Sequence, residues 1–210
     1  MKKLPIRTLI RISIIVLAGL IAWFTKTPSD AASKAAAQTA TSHEAKASDG
    51  SYTVYLQCKL VESKYNDGDS FLVQHAEGQT EFRLYYVDTP ETRDKPYADH
   101  KKRVAEQGQA LGGLDYHDTL TLGNKAKKFT LDLLKNNDFQ IFTSHELVFD
   151  GPRQYAFVQV KYNGKVQWLH EILVKKGYAR VHTRGARTPN GQSFYQHRDY
   201  LKGIKVNKEY

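Results

Sequence analysis

The sequence predicts a mainly β, α+β domain: a small closed barrel of five main strands with about three helices. Three observations predict it. Short alternating apolar stretches separated by turn signals fill residues 54–87. Two further strand-like runs and a hairpin signal follow residue 139. Helical apolar spacing is confined to segments between and after them.

The elements follow in order. Residues 54–61 alternate as a strand, and Asn66-Asp67-Gly68-Asp69 is a turn signal in which Asp-Gly favours the left-handed backbone of a tight hairpin. Residues 70–75 form the second strand, Glu77-Gly78-Gln79 the next turn, and residues 81–87 the third strand, which Pro90 ends. Residues 97–111 can form a helix that Gly112-Gly113 stops. Residues 122–134 show helical spacing, with Ala126, Phe129, Leu133 and Leu134 on one face. Residues 139–143 and 155–162 are strands, and Asn163-Gly164 closes a hairpin into residues 165–167. Residues 169–175 form an amphipathic helix stopped by Gly177, and residues 193–201 a last helix after Pro189-Asn190-Gly191. Strands in meander order with these helices point to the five-stranded Greek-key, or OB, barrel.

The first fifty residues read differently. Residues 1–27 are expected to be a signal peptide or an N-terminal membrane anchor: Lys2, Lys3, Arg7 and Arg11 precede the uncharged apolar run from Ile12 to Phe24. That run is shorter than the ~20 residues a full span needs, which favours a signal peptide. Uncleaved, it would tether the chain with its basic end in the cytoplasm. Residues 28–50, rich in Ala, Ser, Thr and Lys, cannot bury enough surface to offset their ordering entropy and read as a flexible linker. The folded domain is expected over residues 51–210, and the location is extracytoplasmic, secreted or membrane-tethered.

Composition narrows the function classes. A hydrophobic fraction of 40% excludes a wholly disordered chain. The single cysteine, Cys58, excludes a disulfide framework and reads as a small core residue, and no Cys/His cluster has structural-zinc spacing. Of the formal charge of +9, residues 51–210 carry +5, which favours a polyanionic substrate. Nothing demands more than a monomer.

Four short pieces concentrate the unusual residues: Asp67-Gly68-Asp69-Ser70, Arg83-Leu84, Val87-Asp88-Thr89-Pro90-Glu91-Thr92 and Gly151-Pro152-Arg153-Gln154-Tyr155-Ala156-Phe157. Singly, each has a structural explanation: a turn, a solvated strand face, or a helix start with Thr89 as N-cap and Pro90 behind it. Together they converge. Asp69 begins the strand that pairs with the one carrying Arg83 and leading to Asp88, so pairing brings Asp69 near Asp88. Two carboxylates and a backbone carbonyl make a small oxygen site for Ca²⁺ or Mg²⁺.

The blocks D-G-D-S, R-L-Y-Y-V-D-T-P-E-T and R-Q-Y-A-F-V, followed by W-L-H-E-I-L-V-K-K-G-Y-A, resemble the staphylococcal nuclease (thermonuclease) family over about residues 52–205. The resemblance implies an OB-fold barrel with helices and a Ca²⁺-dependent endonuclease, a phosphodiesterase acting on DNA and/or RNA that leaves 3′-phosphate ends. It implies metal ligation by Asp69, Asp88 and the Thr89 carbonyl, activation of water by Glu91, and a phosphate held by Arg83 and Arg153. Mg²⁺ or another divalent ion is an alternative cofactor. The family's Tyr-Gly before the second arginine is Gly151-Pro152 here. Its stacking tyrosines are replaced by the basic loop His182-Thr183-Arg184-Gly185-Ala186-Arg187, in which Arg184 and Arg187 can track phosphates.

Other features are read as structural or peripheral. Tyr178 and Tyr195 are core or surface filler with stacking as the alternative, and Lys101-Lys102-Arg103 is a solvated helix face with phosphate contact as the alternative. His170-Glu171 lacks the second histidine of a zinc-protease helix motif. Of the scattered histidines, His182 is the one placed to line a cleft. The rival reading of the whole is a non-catalytic OB module that binds nucleic acid or a protein, which would not require Asp69, Arg83, Asp88, Glu91 and Arg153 together.

Overall fold

The computed structural model describes residues 43–47, 50–182 and 184–207. The apolar segment 1–27 and most of the stretch 28–50 lie outside the described residues. Within that stretch, the backbone of β1 (His43–Ala47) pairs antiparallel with the start of β2 (Gly50–Leu60). No helix among the described residues is long and apolar enough to cross a membrane.

The barrel is built from β2, β3 (Ser70–His75), β4 (Gly78–Leu84), β6 (Phe139–Thr143) and β7 (Gln154–Tyr162), with β5 (Val87–Asp88) between β4 and β6 in the chain. Its strand order is β2-β3-β4-β7-β6, and β6 pairs back onto β2 to close it. The first three strands are the expected meander. Closure departs from meander order, because β4 and β7 run parallel with Arg83 opposite Tyr155. A parallel pair needs a long crossover. Here α1 (Ala98–Ala110), α2 (Tyr116–Asn136) and β6 supply it. Beyond β7 come β8 (Lys165–Trp168), α3 (Leu169–Lys175), β9 (Arg180–Val181) and α4 (Phe194–Gly203), so the described residues form four helices where about three were expected.

Alternation sets the register. Phe71, Val73, Phe82, Leu84, Ile141, Ala156 and Val158 point into the barrel, where α2 adds Leu133 and Leu134, and α3 adds Leu169 and Leu173. A one-residue slip would turn that set outward, so burial holds the pairing. Cys58 is buried in the same core, as its alternating context suggests.

Three local differences from the sequence reading shape the surroundings of the acidic residues. The expected strand 81–87 breaks after Leu84. Tyr86 adopts φ 70°, and Val87–Asp88 leaves the barrel to pair with β9, Asp88 opposite Arg180. Left-handed backbone costs a non-glycine residue on the order of 1 kcal/mol. It is held because the Tyr86 ring is buried against Phe194, His197 and Phe157, and its hydroxyl donates to the Ala186 carbonyl. Next, Gly68 is not a left-handed turn glycine. It is needed for a close approach, since a Cβ there would meet the Thr89 side chain at 2.9 Å. Finally, α2 begins at Tyr116 rather than 122, because the Asp115 carboxylate caps it by accepting from the Asp118 amide at 2.7 Å.

Candidate active site

The turn before β3 is a rigid platform. Asn66 accepts from the Leu72 amide at 2.9 Å and donates to the Val61 carbonyl at 2.8 Å, and Thr130 on α2 donates to the Gly68 carbonyl at 2.9 Å. The β3–β4 register sets Ser70 opposite Arg83, and the Leu84 amide donates to the Asp69 carbonyl at 2.9 Å. Asp69 therefore stands beside Arg83, whose Nη1 reaches Asp69 Oδ1 at 3.2 Å while its Nη2 reaches Asp88 Oδ1 at 3.0 Å. Asp69 Oδ2 accepts from the Thr89 amide at 2.9 Å, which ties the two acidic segments directly. Both carboxylates are buried, Asp69 at 4% and Asp88 at 1% exposure.

A buried carboxylate is costly unless paired. Asp88 is paired on every side. Its Oδ1 accepts from Arg83 and from Arg103 Nη2 at 2.8 Å, and its Oδ2 from Gln107 Nε2 and Arg180 Nε, both at 2.9 Å. Burial pushes the Asp88 carboxyl up, but Arg103, the Gln107 hydrogen bond, Arg83 and Arg180 together hold it below the usual carboxylate range. Asp69 raises the basicity of Arg83 against the opposing effect of burial. Asp67, whose Oδ1 accepts from the Gly68 amide, is pushed up to about 6 by burial and by the negative charge of Asp69.

Glu91 lies on the coil after β5, with no helix start at Thr89; α1 begins further on, at Ala98. Its carboxylate meets Arg103 Nε at 3.1 Å, Lys95 Nζ at 3.5 Å and His100 Nδ1 at 3.8 Å. Arg103 thus joins Glu91 to Asp88. Gln107, fully buried, completes the joint: its amide donates to Asp88 Oδ2 and to the Thr89 carbonyl, and its oxygen accepts from the Glu91 amide at 3.1 Å. Underneath, Gly123 of α2 admits the Pro90 and Glu91 carbonyls, which a Cβ would meet at 2.6 and 2.2 Å.

Arg153 adjoins the cluster through Ser70, whose Oγ lies 3.5 Å from Arg153 Nη1 and 3.4 Å from Arg83 Nη1. Its Nε is 3.8 Å from Glu81. Arg184 lies elsewhere, over the Tyr155 ring at 5.5 Å and paired with Glu146, and Arg187 donates to the Gly191 carbonyl at 2.8 Å. His182 follows β9 near enough to Asp88 for that carboxylate to raise its basicity, although burial outweighs the effect and lowers it. Tyr178 packs on Phe129, while Tyr195 is exposed.

Sequence reasoning missed Gln107 and Arg180, and it read Arg103 as a solvated face. A signal was available on α1. His100 and Gln107 lie with Val104 and Gly108 on the buried face of this helix, so two polar side chains point inward, and half-exposed Arg103 reaches the acids from beside them.

The donor set fits a hard divalent ion. Asp69, Asp88 and the Thr89 carbonyl are oxygen donors converging on one place, where the two acids already share a single cationic group, Arg83. Because each oxygen of Asp88 accepts twice, an ion gains access to it by displacing a guanidinium or the Gln107 amide.

No curated protein sequence matches the chain. The family model of staphylococcal nuclease homologues matches residues 81–205, from within β4 to beyond α4. Asp69 lies outside that match and reaches the site through β3–β4 pairing. The family is one of nuclease-type hydrolases acting on nucleic acid and typically dependent on a divalent metal. A match over more than half of the sequence, joined to a closed barrel that gathers the acids and arginines of the recognised motifs, makes the chain a member of the staphylococcal nuclease homologue family.

Proposed function

We propose that the chain is an exported, Ca²⁺-dependent nuclease that hydrolyses phosphodiester bonds of DNA, RNA or both and leaves 3′-phosphate ends. The observation that carries the reading is the Arg83 guanidinium shared between the buried carboxylates of Asp69 and Asp88 at 3.2 and 3.0 Å. Two buried acids able to hold a divalent ion, with arginines beside them, supply the positive charge that hydrolysis of an anionic phosphodiester requires.

Asp69, Asp88 and the Thr89 carbonyl would hold the divalent ion, which supplies Lewis-acid polarisation of the phosphoryl oxygen. The chain's own residues do the rest. Glu91, aligned by Arg103, accepts a proton from the attacking water. As the water oxygen bonds to phosphorus, negative charge grows on the equatorial oxygens. Arg83 and Arg153, linked across Ser70, donate to them. The bond from phosphorus to the 5′ oxygen breaks, and that oxygen leaves as a hydroxyl once protonated. Arg103 and Arg180, both on Asp88, add positive charge to the same neighbourhood.

Export rests on the basic front and apolar run of residues 1–27, and N-terminal sequencing of chain recovered outside the cytoplasm distinguishes release from tethering. The activity is tested by digesting denatured DNA and RNA with Ca²⁺, with Mg²⁺ and with chelator. Cleavage that requires Ca²⁺ and yields 3′-phosphate ends supports the reading; cleavage that survives chelation contradicts the metal role. Glu91→Gln is expected to lower kcat on the order of 10³-fold while nucleic-acid affinity changes little. Binding without any cleavage by the unaltered chain would identify a non-catalytic OB module instead.

A further inference from the structure

We propose that His170, Glu171 and His197 form a second metal site, for a Zn²⁺-class ion, that fastens α4 to α3. None of these residues belongs to the Asp69–Asp88 cluster, and the inference does not depend on the nuclease reading. One ligand atom from each lies within 4.8 Å of the other two. His170 and Glu171 come from α3 and His197 from α4, so the site bridges two elements far apart in sequence.

The hydrogen bonds fix the tautomers. His197 Nδ1 lies 2.7 Å from Gln192 Oε1. An amide oxygen only accepts, so Nδ1 carries the proton and Nε2 offers a bare lone pair. A metal-bound histidine is normally oriented this way, its other nitrogen donating to a carbonyl. His170 Nε2 lies 2.7 Å from His197 Nε2 and must therefore be the donor of that pair. His170 Nδ1 is then a bare acceptor, buried and with no hydrogen-bond partner among the described residues, in a side chain only 1% exposed. A proton held between two imidazole nitrogens occupies the place a metal ion would take. Moving the His170 proton from Nε2 to Nδ1 frees the second ligand without releasing a proton, and Nδ1 stays without a partner among the described residues, as it is now.

The chemistry selects the ion. Burial lowers the basicity of both rings, and for His197 the value falls to about 4. Both are neutral near pH 7, the form that binds metals. The Glu171 carboxyl is pushed up by burial and receives the Tyr200 hydroxyl at 3.4 Å, so a nearby cation would offset the cost of its charge. Two imidazoles and one carboxylate suit Zn²⁺, Co²⁺ or Ni²⁺, with one position left for water, and do not suit Ca²⁺. Nitrogens on a tetrahedral ion stand roughly 3.3 Å apart, so the two rings need to open by about 0.6 Å.

The test uses the full chain without an affinity tag, stripped with chelator and titrated with Co²⁺. Expected, with millimolar Ca²⁺ present to fill the Asp69–Asp88 site, is one equivalent bound with the visible absorption of a nitrogen-ligated, four-coordinate ion, displaced by one equivalent of Zn²⁺. Zn²⁺ at about 100 times its Kd should raise the melting temperature by roughly 5–10 °C. His170→Asn and His197→Gln should weaken Co²⁺ binding at least tenfold, whereas Asp88→Asn should leave the absorption intact. Failure of the unaltered chain to develop that absorption overturns the site, and so does a folded His197→Gln variant that binds as tightly. Should the histidine variants not fold, Glu171→Gln together with the unaltered chain's spectrum decides: an unchanged affinity removes Glu171 and, with it, the proposed site.

Discussion

Arg103 touches Asp88 with Nη2 at 2.8 Å and Glu91 with Nε at 3.1 Å, so its removal separates two effects that most substitutions would merge. Without it, Asp88 loses one of the cations that compete with a metal ion, and Glu91 loses its alignment. Arg103→Ala is therefore expected to lower the Ca²⁺ concentration for half-maximal activity several-fold while reducing kcat by about 10²-fold. A calcium titration of initial rates reads both; a variant that loses kcat and also needs more Ca²⁺ would mean that Arg103 supports the ion rather than opposing it. Asp69, Arg83, Asp88 and Glu91 were legible as a set because motif order and hairpin pairing determine them. Gln107 was not legible, since its value lies in three hydrogen bonds to β5 and the coil after it, made from a helix later in the chain.

At the scale of elements, α1 and α2 decide how the Asp88–Glu91 segment is held. Gly123 lies inside α2, where exchanging glycine for alanine normally favours the helix by about 1 kcal/mol. Here the new Cβ would stand 2.2 Å from the Glu91 carbonyl and 2.6 Å from that of Pro90. Gly123→Ala is expected to destabilise the chain by about 1–3 kcal/mol, as overpacking does, and to lower kcat by displacing Glu91. Urea midpoints and turnover measured together check it; a more stable variant of unchanged activity would show that α2 can retreat from the loop. The extent of α1 was legible to within a residue at each end, from its glycine stop. The break at Tyr86 was not, because Leu84-Tyr85-Tyr86-Val87 is a continuous apolar run that a buried strand also shows, and only the burial of both tyrosine rings with the positive φ of Tyr86 reveals the turn.

Across the whole molecule, stability should respond to pH through buried histidine. His75 is stacked on Tyr55 at 3.9 Å and bonded to Thr80 at 2.9 Å. Burial lowers its basicity below the ordinary value, Glu77 opposes this and His145 adds to it. A histidine with a depressed folded pKa binds fewer protons folded than unfolded, so its contribution is intact above pH ~6.5 and is lost as pH falls toward the folded value, at up to ~1.4 kcal/mol per pH unit. His75→Phe, which keeps the stacking, is expected to flatten the decline in urea midpoint between pH 7 and pH 5; an unaltered slope would exclude His75 as a source. The sequence by itself determined the meander of the first three strands and the nearness of Asp69, Arg83 and Asp88, because alternation, turn residues and hairpin pairing act over short separations. Only the tertiary structure decided that β4 pairs in parallel with β7, that β5 leaves the barrel for β9, and that Arg103, Gln107 and Arg180 surround Asp88. Each of these joins segments remote along the chain, and the force that selects them is the cost of leaving a buried charge unpaired, which no local pattern of residues records.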